Sequence, residues 1–291
     1  MLGLVTAVMV VPPAAMSQTL DGAIDMHIHS EPDGSRRPID AIDLAILAKS
    51  KGMRALVLKN HHESTAALAW AVRKAVPGIE VFGGISLDIT VGGVNPAAVD
   101  WMTKVTGGYG RIVWLPTGDS ESNVKRSGQQ RPFVPVIKDG KVLPEVIQVF
   151  GIIAKNNLIL ETGHSSPSES LILIQEAKRQ GVKNIMVTHT FANPGGSMTI
   201  EEAQEAAKLG AYIEIVYDPF DDKTLQHDAD AIRTIGPASC VISSDLGQRG
   251  RPLHPDGLIA LYKELVKRGI TVAEIDQMAK ANPAKLLGLK P

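Results

Sequence analysis

Ala23-Ile24-Asp25-Met26-His27-Ile28-His29 is a short apolar run that carries two histidines at its C-terminal end, the first of a series of strand-like runs. Seven further runs of the same kind follow, at 54–59, 80–86, 111–115, 158–162, 184–188, 211–217 and 240–244. Most are rich in Ile, Val and Leu, as strands covered on both faces must be. Between them lie amphipathic stretches with helical spacing at 39–50, 65–75, 168–180, 200–209 and 256–267. These stop near Gly52, Gly78, Gly181, Gly210 and Gly269, the residue expected just past a helix end. Alternation of strand and helix at this spacing predicts βα units around a parallel sheet. Eight units predict a closed (β/α)8 TIM barrel, which needs about 250 residues and would use nearly all of the 291 available.

Six of the eight histidines fall at the C-terminal ends of these strands: His27, His29, His61, His62, His164 and His189. In a barrel those ends form one rim, so residues distant in sequence converge there. Imidazole is the commonest metal ligand, and the set as a whole points to a divalent metal. His27 and His29, two apart on a strand, face the same way. Lys59 ends the second strand, where a charged amine is costly to bury. It has three outlets: a carbamate whose oxygens bridge two metals, a pairing with a carboxylate such as Asp245, or an anionic substrate. Burial alone does not choose among them. If the chain stays extended, His61 shares the face of Lys59 and His62 points away. Asp245 closes the eighth strand in Ser243-Ser244-Asp245, and can both ligate a metal and move a proton.

Other features narrow the classes. Hydrophobic residues make up 44% of the chain, charged residues 21%, and the net charge is −1. No basic excess suggests nucleic acid or an anionic membrane. A small-molecule substrate is the expected partner, with assembly as a homo-oligomer compatible with this composition. Cys240 is the single cysteine, so neither an internal disulfide nor a cysteine-based zinc knuckle can form. There is no G-x-S-x-G nucleophile motif. Gly92-Gly93 and the run 107–110 lack the ending of a phosphate loop and read as turns. The 116–144 connection after the fourth strand is long, with an Asp139-Gly140 hairpin turn inside it. A long insertion there would help to build the site. Arg126, Arg131, Gln248 and Arg249 lie in loops on that face, and Arg131 and Gln248 are the candidates for substrate binding. Residues 1–19 read as a secretory signal peptide, with a disordered tail as the alternative, and 20–291 as one barrel domain. Ala15 and Ser17 fit a small-x-small cleavage pattern. The expected location is periplasmic or secreted if that leader is removed, and otherwise cytoplasmic. No segment is long enough for a membrane span.

Taken together, His27-x-His29, His164, His189 and Asp245 resemble the amidohydrolase superfamily of metal-dependent barrels. Asn282-Pro283-Ala284-Lys285-Leu286-Leu287 is similar to the closing helix of that superfamily. The resemblance implies that His27, His29 and Asp245 hold the more buried metal, and His164 and His189 a second. It implies zinc, one or two ions, a metal-activated water, and Asp245 as the proton-moving catalytic residue. The bond cleaved would be an amide, ester or lactone, with a metal-dependent lyase or decarboxylase as the alternative. The chain departs from the pattern at the third and fourth strands, which end in Ser86-Leu87-Asp88 and Leu115-Pro116-Thr117 instead of a bridging Lys or Glu. Lys59 and His61 on the second strand would have to complete the set. Asp25-x-His27-x-His29-Ser30 with Asp33-Gly34 also resembles the opening of the polymerase-and-histidinol-phosphatase phosphoesterases. The closing Asn-Pro-Ala helix suits the first family better.

Overall fold

The computed structural model describes residues 19–218 and 221–290. Most of the expected leader, residues 1–18, therefore lies outside the described residues. Eight strands form one parallel sheet: β1 (Ile24–Ile28), β2 (Ala55–Leu58), β3 (Glu80–Ser86), β4 (Gly110–Trp114), β5 (Ile159–Glu161), β6 (Asn184–Val187), β7 (Tyr212–Ile215) and β8 (Cys240–Ile242). Each pairs with the next in order. The ring closes just past the strand ends, where Asp245 N–H donates to His27 O at 2.8 Å and His29 N–H donates to Leu246 O at 2.8 Å. The architecture is a (β/α)8 TIM barrel, as the strand count predicts.

Alternation along the strands sorts the core into two layers. Leu56, Leu58, Val113, Leu160, Ile185 and Ile213 face outward against the helices. Ile24, Met26, Val57, Ile112, Ile159, Met186 and Val241 fill the barrel interior. Ala284, Leu286 and Leu287 join the inner cluster from the last helix (Asn282–Leu287), which plugs the N-terminal end. Asn282 ties that plug down: its Nδ2 donates to Pro237 O at 2.8 Å and Cys240 O at 2.7 Å. The closing helix expected from the Asn-Pro-Ala motif is thus present.

A register shift in β1 between Asp25 and Ile28 matters for the site. Below it Ile24 and Met26 point inward; above it Ile28 packs outward, which turns His27 and His29 to the interior. A bulge of this kind re-aims side chains. Without it, strict alternation from Met26 would send both histidines into the helix layer.

All eight strands fall within two residues of their expected bounds at the N-terminal end, and the last two stop sooner than expected. Among the described residues, three helices of eight residues or more lie outside the expected helical stretches: α1 (Pro96–Thr103), α2 (Pro144–Lys155) and α3 (Asp222–Ile235). The first carries a legible start, with the Asn95 side chain accepting from Ala97 N–H and Ala98 N–H and Pro96 in the first turn. The 116–144 connection is only partly loop. It contains the short helix Glu121–Arg126 and the expected hairpin, Ile137–Lys138 with Lys141–Val142. Asp139 and Gly140 both have positive φ, as a two-residue hairpin turn requires.

Candidate metal centre

Following the inward alternation past the apolar layer, each strand sends one residue into a polar layer: His27, Lys59, Ser86, Trp114, Glu161, Thr188, Glu214 and Ser243. All are buried. His27 sits at its centre. Its Nδ1 faces Glu214 Oε1 at 3.2 Å, and its Nε2 lies 2.8 Å from Lys59 Nζ and 3.0 Å from Asp245 Oδ1. Glu161 accepts from the Thr188 hydroxyl at 3.0 Å. Four members of this layer hold buried atoms without a hydrogen-bond partner among the described residues: Ser86 Oγ, Trp114 Nε1, Glu161 Oε1 and Ser243 Oγ.

Above this layer the rim histidines converge. His29 Nε2 lies 3.2 Å from Asp245 Oδ1, and His27, His29 and Asp245 present ligand atoms all within 4.8 Å of one another. His164 Nε2 and His189 Nε2 face each other at 3.2 Å, and both Nδ1 atoms are buried without partners. The rings form a continuous arc. Centroids are 5.5 Å apart for His27 and His29, 5.0 Å for His29 and His61, and 4.9 Å for His164 and His189. His61 turns inward, whereas His62 is exposed and packs near Gly34. The structure therefore brings His27, His29, Lys59, His61, His164, His189 and Asp245 to one rim.

The electrostatics suit ligands. Burial holds the His164 imidazole well below its usual range and pushes His189 down to about 4, so both rings are neutral with lone pairs to offer. Burial pushes His27 down too, but the carboxylates of Asp245 and Glu214 outweigh it and raise its pKa to about 10. Burial lowers Lys59, against the pull of Asp245, Glu161 and Glu214. Burial and the neighbouring Glu214 raise Glu161 to about 8. Two rim residues sit at positive φ without being glycine, His189 at 26° and Asp245 at 49°. Such conformations cost roughly 1–3 kcal/mol and cluster at functional sites. Here each is held by a specific bond: His189 N–H donates to Glu214 Oε2 at 2.6 Å, and Asp245 N–H donates to His27 O. Asp245 caps no helix, since the next one begins at His254.

Several residues at the site have no counterpart in the sequence reading. Glu161 and Glu214 are charged residues within otherwise apolar strands, which is a legible signal. His254 stands at the start of a surface helix, yet it is buried and donates Nε2–H to His29 O at 3.0 Å and Leu246 O at 2.7 Å. It clamps the β1 and β8 ends together, and nothing local announces that. Arg37 lies with its Nη2 3.4 Å from His29 Nδ1, held by Asp33. The two residues expected to bind substrate are engaged elsewhere. Arg131 donates to Gln129 Oε1 and Gly118 O, both at 2.6 Å, and pairs with Asp119. Gln248 Nε2 donates to Asp245 O at 2.7 Å and braces the loop that carries Asp245.

Solved structures share the barrel at low identity. An amidohydrolase from Pseudomonas aeruginosa is 13% identical, with 92% of this chain and 95% of that one covered and a TM-score of 0.63. The organophosphorus hydrolase from Deinococcus radiodurans is 16% identical, with 94% of each chain covered and a TM-score of 0.63. A putative 2-pyrone-4,6-dicarboxylic acid hydrolase from Pseudomonas putida is 15% identical, with 93% and 98% covered and a TM-score of 0.62. The fold they share with this chain is the TIM barrel. No curated protein matches the chain. The model of a family of unknown function, DUF6282, matches residues 22–214, and the chain belongs to that family.

Proposed function

We propose that this protein is a metal-dependent hydrolase that uses an activated water to cleave an amide, ester or lactone bond of a small molecule. The observation that carries the reading is the convergence of His27, His29 and Asp245 within coordinating reach, beside the facing pair His164 and His189. The donor set fits a divalent ion: imidazoles, of which His164 and His189 are neutral and His27 gives up a proton on binding, and a carboxylate, with buried polar atoms left unpartnered around them. Imidazole and carboxylate together suit zinc. His27, His29 and Asp245 would hold one ion, and His164 and His189 a second. When bound, the metal would acidify a water and polarise the scissile carbonyl.

The chain's own residues do the rest. Glu214 accepts from His27 Nδ1–H and leaves Nε2 for the ion. Asp245 takes the proton of the attacking water and passes it to the leaving group. Charge counting links Lys59 to the metal number. Asp245, Glu161 and Glu214 supply three negative charges when ionised. One divalent ion with a Lys59 ammonium balances them. Two divalent ions with a Lys59 carbamate balance them equally. The amine therefore goes with one ion and the carbamate with two. The unpartnered Trp114 N–H and Ser86 hydroxyl in the same layer support the second state, as donors an added carboxylate would use.

The test is turnover of a panel of esters, lactones and amides by zinc-loaded protein, with metal content measured with and without bicarbonate. Asp245→Asn should lose turnover by at least about 10²-fold, the lower end for a proton-transfer group, while keeping most of its metal. Full metal occupancy with no turnover of any panel member would overturn the hydrolase reading. Near-normal turnover by Asp245→Asn would remove the role of Asp245. The apolar leader supports a further proposal, that the protein is exported. N-terminal sequencing of the secreted chain should place the cut near Ala15–Ser17.

A further inference from the structure

Beside the rim, the loops after β2, β3 and β4 bring together three residues whose hydrogen bonds have only one consistent assignment. Asp88 is buried at the end of β3. Its Oδ1 accepts the backbone N–H groups of Thr117 at 2.8 Å and Asp119 at 2.9 Å, and its Oδ2 accepts the Thr117 hydroxyl in a short bond. Two of these three donors are backbone N–H groups, which can only donate, so Asp88 stands as the acceptor of the set, and an ionised carboxylate can only accept. The Thr117 proton is therefore committed to Asp88. Thr117 Oγ1 has only lone pairs left to offer His61 Nδ1, which lies 2.7 Å away. His61 Nδ1 must then carry the hydrogen.

We propose that Asp88 and Thr117 are positioning residues that lock His61 in the Nδ1–H tautomer and turn its Nε2 lone pair toward the centre. Nδ1 is anchored on the Thr117 side of the ring, so Nε2 lies on the opposite side. The face of the ring stacks on His29 with planes 20° apart, and the ring meets His164 edge-on at 6.3 Å. A neutral histidine chooses its tautomer by the partner of its other nitrogen, and that choice decides whether it offers a lone pair or an N–H. A lone pair can bind an ion or accept a hydrogen bond; an N–H pointing the same way would repel the ion. The relay comes from three successive loops, so no single segment of sequence contains it.

The inference rests on the metal-centre reading for its purpose, but its test does not require turnover. The full-length protein, labelled with ¹⁵N-histidine, is examined by long-range ¹H–¹⁵N NMR without metal, with His61→Gln used to assign the His61 signals. The expected result is a protonated Nδ1 and an unprotonated Nε2 on His61. In Thr117→Val, which leaves the backbone bonds to Asp88 in place, the Nδ1–H form should lose its dominance, and Thr117→Ser should restore it. Zinc titration should show the Thr117→Val protein weakened about 10- to 100-fold at the ion nearest His61, the usual effect of removing such a support. Protonation of His61 at Nε2 in the unaltered protein would overturn the proposal, and that measurement needs no variant. So would a Thr117→Val protein whose His61 keeps the Nδ1–H tautomer. An inactive protein with the expected tautomers would instead refute the hydrolase reading and leave this one standing.

Discussion

Glu214 offers the sharpest test of how the barrel interior supports the rim. Its carboxylate lies 3.2 and 3.3 Å from His27 Nδ1 through its two oxygens, and Oε2 also accepts His189 N–H at 2.6 Å. One buried side chain therefore orients His27 on β1 and holds the strained backbone of His189 after β6. Glu214→Gln keeps the shape and one acceptor oxygen but removes the charge. Loss of a carboxylate behind a metal-binding histidine typically weakens metal binding 10–100-fold, about 1.4–2.7 kcal/mol. Glu214→Ala also leaves His189 N–H without an acceptor, a further cost of about 1–3 kcal/mol in fold stability. The assay is zinc competition against a chromophoric chelator, paired with thermal melting of the metal-free proteins. Glu214→Gln should lose affinity with little change in melting, and Glu214→Ala should lose both. Zinc affinity of Glu214→Gln within twofold of the unaltered protein would show that the Glu214 charge does not support His27.

Further outcomes follow from the same geometry. With His27 raised to about 10 in the metal-free protein, an ion must displace its proton, so zinc affinity should rise with pH by up to about tenfold per unit between pH 7 and 9; calorimetry in buffers of different ionisation enthalpy should register proton release, and a flat profile would contradict it. Gly247 has φ +120°, and a Cβ there would overlap the His29 carbonyl, so Gly247→Ala should displace His29 and lower zinc affinity at least about tenfold, the smaller effect expected when a ligand's support is disturbed; unchanged affinity would show that the rim tolerates the shift. Asn282→Ala removes three hydrogen bonds at the opposite end of the barrel and should lower stability by about 1–3 kcal/mol in chemical denaturation, with zinc affinity unaltered.

The strand pattern was legible because burial on both faces demands continuous apolar runs, and the rim histidines were legible because strand ends in a barrel share one face. His27, His29, His164, His189 and Asp245 were found that way, and all five lie together. Glu161 and Glu214 carried a signal that went unread, a charge inside an apolar strand. Glu161 ends β5 as a carboxylate after apolar residues, much as Asp245 follows β8. Arg131 and Gln248 carry a role that loop position does not announce: Arg131 donates to Gly118 O and Gln248 to Asp245 O, and each holds its own loop.

The number of strands, their spacing and the residues at their C-terminal ends follow from the amino-acid order alone, because they depend on local periodicity and on the cost of exposing apolar side chains. Which atoms meet follows from the folded barrel. The bulge in β1 turns His27 and His29 inward, Glu214 reaches His27 across 187 positions, and Asp88 reaches His61 through Thr117. Those relations depend on closing the ring, which sets side chains of non-adjacent strands within hydrogen-bond distance, and no local pattern encodes a distance across a barrel.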